Sequence, residues 1–234
     1  MNRILSFITK QVVLICALSV SLFAHSQTAY GLRVGADLHR LARTTLSDNY
    51  SGFELSGDLR LKKKLMLSAE LGNENFLDQE TLGDYLLYET QYNGSYLKFG
   101  ADWMVYAQKT NEKNLVTAGF RYAISTFSSD LGAVHVYDSS RLREPEGFPL
   151  FTQDGESFSG LNGSWIEGVL GFKTGLFNNL YLGASLRLGF LVSEKSPDNF
   201  DNLWIPGFNK VTDGARFGLN VNYTLSYFIP VLKK

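Results

Sequence analysis

The sequence predicts an all-β fold, an eight-stranded antiparallel up-and-down transmembrane β-barrel. Three observations predict it. Eight segments alternate with period two and keep one face free of charge; long and short gaps between them alternate strictly; and no apolar run after residue 26 has the length of a membrane helix.

The N-terminus is read separately from the barrel. Arg3 and Lys10 flank the start of an apolar run from Val12 to Phe23, followed by the small-residue pattern Ala24-His25-Ser26. This is the layout of a secretory signal peptide over residues 1–26, leaving the barrel over 27–234. The apolar run, about 12 residues, falls short of the roughly 20 that span a bilayer as a helix. Cys16, the single cysteine, lies inside that run after the bulky Ile15, which argues against lipidation, so the exported chain holds no thiol and no disulfide. Without the leader the chain carries 20 basic and 23 acidic side chains, net −3, which is no footprint for nucleic acid.

The eight segments are 29–39, 51–62, 65–76, 94–106, 115–127, 164–173, 180–192 and 215–228. In the first, Tyr30, Leu32, Val34, Ala36 and Leu38 alternate with Arg33 and Asp37. In the second, Phe53, Leu55, Leu59 and Leu61 alternate with Glu54, Asp58, Arg60 and Lys62. The third sets Leu65, Leu67, Ala69 and Leu71 against Glu70 and Glu74; the fourth sets Leu97, Phe99, Ala101, Trp103 and Val105 against Lys98 and Asp102. Val116, Ala118, Phe120, Tyr122 and Ile124 oppose Arg121 in the fifth, and Ile166, Leu170 and Phe172 oppose Glu167 and Lys173 in the sixth. The seventh, LYLGASLRLGFLV, is apolar at every second position and places Arg187 on the other face. The eighth runs from Phe217 to Tyr227 on its apolar face, with Arg216 opposite.

Charge decides which face meets which medium. Arg or Lys facing lipid at the bilayer midplane costs roughly 2–4 kcal/mol, whereas a barrel interior tolerates charge that is paired. The apolar face is therefore expected to meet lipid. Arg33, Asp37, Glu54, Asp58, Arg60, Glu70, Lys98, Asp102, Arg121, Glu167, Lys173, Arg187 and Arg216 are expected to form a salt-bridged plug inside. A soluble barrel with the apolar face inside is the competing fold, but the gaps disfavour it: about 11, 2, 17, 8, 36, 6 and 22 residues, long and short in turn. Transmembrane barrels have long outer loops and short periplasmic turns. The five prolines lie in long gaps or after the last segment, and Lys62–Lys64 and Asn178-Asn179 supply short turns.

The stretches GSYLKFGADWMVY (94–106) and NLVTAGFRYAISTFSSD (114–130), with the pair Arg121-Tyr122, resemble an uncharacterised family of Bacteroidota-type outer-membrane β-barrel proteins with no assigned function. The wider architecture resembles the OmpX and OmpA-barrel type. The resemblance implies a fold and a location in the outer membrane of a Gram-negative bacterium, with no reaction attached. One departure is the tail Ile229 to Lys234 after the last aromatic residues, where such barrels end on an aromatic.

Candidate chemistry is sparse. Asp37 and His39 share a face at the outer rim, and His135 sits near Asp138, Ser139 and Ser140 in the longest gap; either would suit a membrane hydrolase or acyltransferase. Asp198, Asn199, Asp201 and Asn202 offer oxygen ligands without a calcium-loop spacing, so no metal and no cofactor is expected. GFPLF (147–151) and NFDNLWIPGF (199–208) either expose a binding surface or fold onto the barrel mouth. The favoured reading is a monomeric, non-enzymatic barrel contacting outer-membrane lipid, with loops 128–163 and 193–214 open to a surface protein or glycan. A rim enzyme and a soluble ligand-binding barrel are the alternatives.

Overall fold

In the computed structural model, residues 29–82, 85–108, 113–136, 151–197, 202–210 and 216–233 are described, and the leader expected over 1–26 lies outside them. Eight antiparallel strands close into a ring: β1 (Ala29–Asp37), β2 (Tyr50–Arg60), β3 (Leu65–Leu82), β4 (Tyr85–Ala107), β5 (Asn114–Leu131), β8 (Glu156–Phe177), β9 (Leu180–Lys195) and β12 (Phe217–Lys233). Each strand pairs with its sequence neighbours in the ring, and β1 closes on β12 through Val34 opposite Tyr227. Outside the ring lie helix α1 (Leu38–Leu46) and two small hairpins, β6 (Val134–Val136) with β7 (Phe151–Gln153), and β10 (Trp204–Ile205) with β11 (Asn209–Lys210).

The ring is apolar outside and charged inside. Leu188 is 56% exposed and Phe120 51%, while Lys98, their neighbour in sequence pattern but not in direction, is fully buried. Because successive side chains point to opposite sides of a strand, one register satisfies both media at once, and a one-residue slip would reverse every strand's faces. The registers align the apolar positions into levels: Leu71 opposite Leu97, then Leu97 opposite Ile124. One pair further along, Asn73 lies opposite Ser95, Ser95 opposite Thr126 and Thr126 opposite Asn162, a polar arc across β3, β4, β5 and β8.

Past that arc the strands continue further than the periodicity predicts. Residues 77–82 and 85–93 are no loop; β3 and β4 run on as a ladder to Leu82 opposite Tyr85. Beyond the belt neither face has to be apolar, so Asp78-Gln79-Glu80-Thr81 carries no period-two signal although its backbone still pairs. β8 likewise begins at Glu156 rather than near 164. Residues 38–46 form α1 instead of a strand end and loop; Asp37 caps it, its side chain accepting from the His39 N–H at 2.8 Å. Pro230 lies inside β12 rather than after it, opposite Gly31 where the β1–β12 register shifts, the kind of irregularity that tolerates a missing N–H.

Candidate functional site

The interior is filled in tiers, from the turn end to the loop end. Met66, Met104 and Leu115 pack together nearest the turns, with Tyr181 against them. Arg33 lies between the rings of Tyr181 and Phe228, 4.8 and 5.6 Å from their centroids, and reaches Asp58 at 3.5 Å; Lys173 joins the same carboxylate. At mid-height Arg121 holds both oxygens of Asp102, at 2.9 and 2.8 Å, and Glu70 at 3.2 Å, and Arg187 pairs with Glu70 from the opposite wall. Lys98 donates to Glu167 at 2.9 Å, and the Trp165 indole N–H donates to the same oxygen at 2.7 Å. Acids and bases alternate across a lumen only wide enough for side chains, so each buried charge finds a partner.

Above this sits a cluster centred on a residue that strand reading passes over. Arg40, one turn into α1, points down the lumen and is 4% exposed. Its guanidinium reaches Asp37 at 2.6 Å, Glu74 at 2.8 Å and Glu54 at 3.5 Å. Burial disfavours its charge, but Glu54, Glu74 and Asp37 outweigh that and hold it protonated well above the usual arginine range. Tyr50 and Asn222 complete the ring of donors, Tyr50 to Glu74 at 2.9 Å and Asn222 to Asp37 at 2.6 Å; Tyr96 donates to Glu54 at 2.7 Å.

The mouth itself is closed by residues 202–210. Ile205-Pro206-Gly207-Phe208 turns on itself, the Phe208 N–H donating to the Ile205 carbonyl at 3.0 Å with Gly207 at φ 83°. Proline then glycine is the pairing a type II turn requires, proline for the fixed φ and glycine for the positive one. The turn drives Trp204, Ile205 and Phe208 inward against Tyr92, Tyr96, Phe127, Leu161, Trp165 and Leu191, all buried. The Gly207 N–H ends on Glu74 at 2.9 Å, so this loop and α1 meet at one carboxylate. Of the two readings of WIPGF, the structure takes the fold into the barrel mouth; Phe151 of GFPLF is exposed on β7, and 147–150 lie outside the described residues.

The remaining candidates are placed as follows. His39 is exposed on α1 and meets Asp37 through its backbone N–H, while the Asp37 carboxylate is committed to Arg40 and Asn222; the rim pair is a helix cap rather than an imidazole–carboxylate contact. His135 Nδ1 lies 3.0 Å from Thr152 Oγ1, and Asp138, Ser139 and Ser140 fall outside the described residues. Arg216 is not in the lumen: it precedes β12 at the loop end and is exposed, the strand beginning at Phe217, two residues after the expected start at 215. Asn202 is buried and donates to Glu194, to the Lys195 carbonyl and to Ser196; Asp198, Asn199 and Asp201 are outside the described residues. Among the described residues no group of three or more His, Cys, Asp or Glu is arranged to hold a metal ion.

Arg40 and the Pro-Gly turn are the functional features that period-two reading misses. Both had a signal: Asp37 before LHRLARTTL is a helix N-cap pattern, and Pro206-Gly207 is a turn pattern.

No curated protein matches the chain. Among solved structures, CarO2 of Acinetobacter baumannii aligns at 10% identity over 86% of this chain and 98% of that one, with a TM-score of 0.41. CarO of the same organism aligns at 12% identity over 86% and 97%, with a TM-score of 0.37. Alignments this loose say nothing of activity. A family model described as a domain of unknown function, DUF6048, matches residues 6–234, and the chain belongs to that family.

Proposed function

We propose that this is an integral outer-membrane β-barrel protein of a Gram-negative bacterium, monomeric and without enzymatic activity, anchored by its apolar belt and working through its outer loops. The observation that carries the reading is the inverted distribution of side chains. Between the turn end and the polar arc of Asn73, Ser95, Thr126 and Asn162, the outward strand positions hold aliphatic, aromatic and small residues, while the charges face inward. In water such a surface would associate or precipitate; in lipid it is the stable arrangement. Among the described residues no helix is long and apolar enough to cross a membrane, so the crossing elements are the strands.

The filled lumen supports a role at the surface rather than passage of a solute. Of the expected loops 128–163 and 193–214, the second packs residues 202–210 into the mouth over Glu74, so the exposed strand β7 of the first is the described surface offered to a surface protein or glycan. Membrane fractionation combined with heat-dependent gel mobility tests the reading. The chain should enter the outer-membrane fraction and run faster unheated than boiled; recovery in the soluble periplasm with a single mobility would refute it.

A further inference from the structure

Among the described residues, exposed acids lie at one end of the barrel and a run of exposed lysines at the other. The exposed acidic side chains among them are Asp48, Glu80, Asp130, Asp154, Glu156 and Glu194, all at the loop end, where Lys195 and Arg216 are exposed as well. Among the described residues at the turn end, Lys62, Lys63 and Lys64 between β2 and β3 are exposed with no acid in the same turn, and Lys113 before β5 is exposed. These lysines sit on fixed backbone: the Met104 N–H donates to the Lys64 carbonyl at 2.8 Å and the Arg60 guanidinium to the Lys63 carbonyl at 2.8 Å.

The lysines also adjoin the apolar belt. Leu61 immediately before them is 45% exposed, and Trp103 and Tyr106 on the neighbouring β4 are 53% and 55% exposed, with Trp103 opposite Leu65 in the register. Aromatic rings beside basic side chains, directly below an aliphatic surface, match a bilayer interface: rings at headgroup level and ammonium groups reaching the phosphates.

We infer that the Lys62–Lys64 turn is a docking surface for anionic phospholipid headgroups, which it gathers around the turn end of the barrel. The inference rests on the membrane reading above and names the lipid class at one end of it. A lysine close to an anionic bilayer surface contributes about 1 kcal/mol, roughly a fivefold local preference, and three adjacent lysines in one turn act together.

Trp103 makes this measurable. The chain has three tryptophans, and Trp165 and Trp204 are buried at the mouth, leaving Trp103 as the lipid-exposed reporter at the lysine end. The exported chain is reconstituted in phosphatidylcholine vesicles containing a fixed fraction of brominated phosphatidylglycerol or, in parallel, brominated phosphatidylcholine. The anionic quencher should quench several-fold more strongly in the wild type, and the excess should vanish in K62Q/K63Q/K64Q and in wild type at high salt, where headgroup attraction is screened. Equal quenching by both lipids in wild type, or a preference that survives in the triple variant with unchanged heat-dependent mobility, would overturn the inference. So would retention on peptidoglycan that the triple variant loses while quenching by the two lipids stays equal. A chain without heat-dependent mobility in either vesicle overturns the membrane reading first and this inference with it.

Discussion

Arg40 Nε donates to Glu74 Oε1 at 2.8 Å, joining a helix that follows β1 to the wall formed by β3. The same carboxylate accepts from the Tyr50 hydroxyl and from the Gly207 N–H, so three separate segments converge on it. Removing one partner of a buried ion pair typically costs about 3–5 kcal/mol, because the remaining charge stays buried without compensation. Glu74→Ala is therefore expected to lower unfolding stability by about that amount. It should also loosen both α1 and the 202–210 turn, seen as a lower urea midpoint and a red-shifted emission from Trp204. Stability within 1 kcal/mol of wild type would show that the convergence is not what closes the mouth.

Gly207 has two independent reasons to be glycine. Its φ is 83°, and a Cβ there would lie 2.5 Å from the Tyr96 ring. Gly207→Ala should cost about 1–3 kcal/mol through backbone strain alone, with further loss from the displaced ring. The effect should stay local: the barrel still forms and shifts on heating, while acrylamide reaches Trp204 more readily than in wild type. Unchanged acrylamide access would mean the turn accommodates the methyl group.

What was legible in the sequence follows the medium each residue meets. Leu71, Leu97 and Ile124 share one level of the belt and had to be apolar because they face outward there, so alternation located their strands. Glu80 and Tyr88 pair in the same ladder beyond the belt, where no rule of polarity acts, and that stretch read as a loop. Inside, the pattern predicted the direction of Glu70, Arg121 and Arg187 but not who pairs with whom, since partners such as Arg187 and Glu70 come from strands far apart in sequence and across the lumen. Arg40 was hidden for a different reason. A strand pattern continues through Leu38, and only the capping carboxylate of Asp37 marks the change to helix.

Leu188 tests which medium surrounds the ring. It lies near the middle of β9, opposite Leu219 and Gly168, and is 56% exposed. At an exposed site in water, Leu→Arg changes stability by no more than about 0.5 kcal/mol; at a bilayer midplane it costs roughly 2–4 kcal/mol. Leu188→Arg is expected to show the larger loss when unfolding is measured from lipid vesicles. Arginine introduced outward at Asn73, on the polar arc, should cost about 0–1 kcal/mol. Equal effects at the two positions would remove the apolar belt as a lipid contact.

Lys98 and Glu167 separate the two roles a buried charge pair can have. Lys98 is fully buried, and Glu167 accepts from both Lys98 and Trp165 on one oxygen. Lys98→Met alone leaves Glu167 with only the indole and the more distant Arg187, at 3.5 Å, and should cost about 3–5 kcal/mol. Lys98→Met combined with Glu167→Gln removes both charges, retains an acceptor for the Trp165 N–H and should recover most of that loss, leaving a coupling energy of about 2 kcal/mol or more between the sites. Arg187 then loses one of its flanking acids but keeps Glu70, so recovery should be incomplete. Urea unfolding of the two single variants and the double variant measures the coupling. Additive losses would mean that the lumen is held by packing and that its charges are independent occupants.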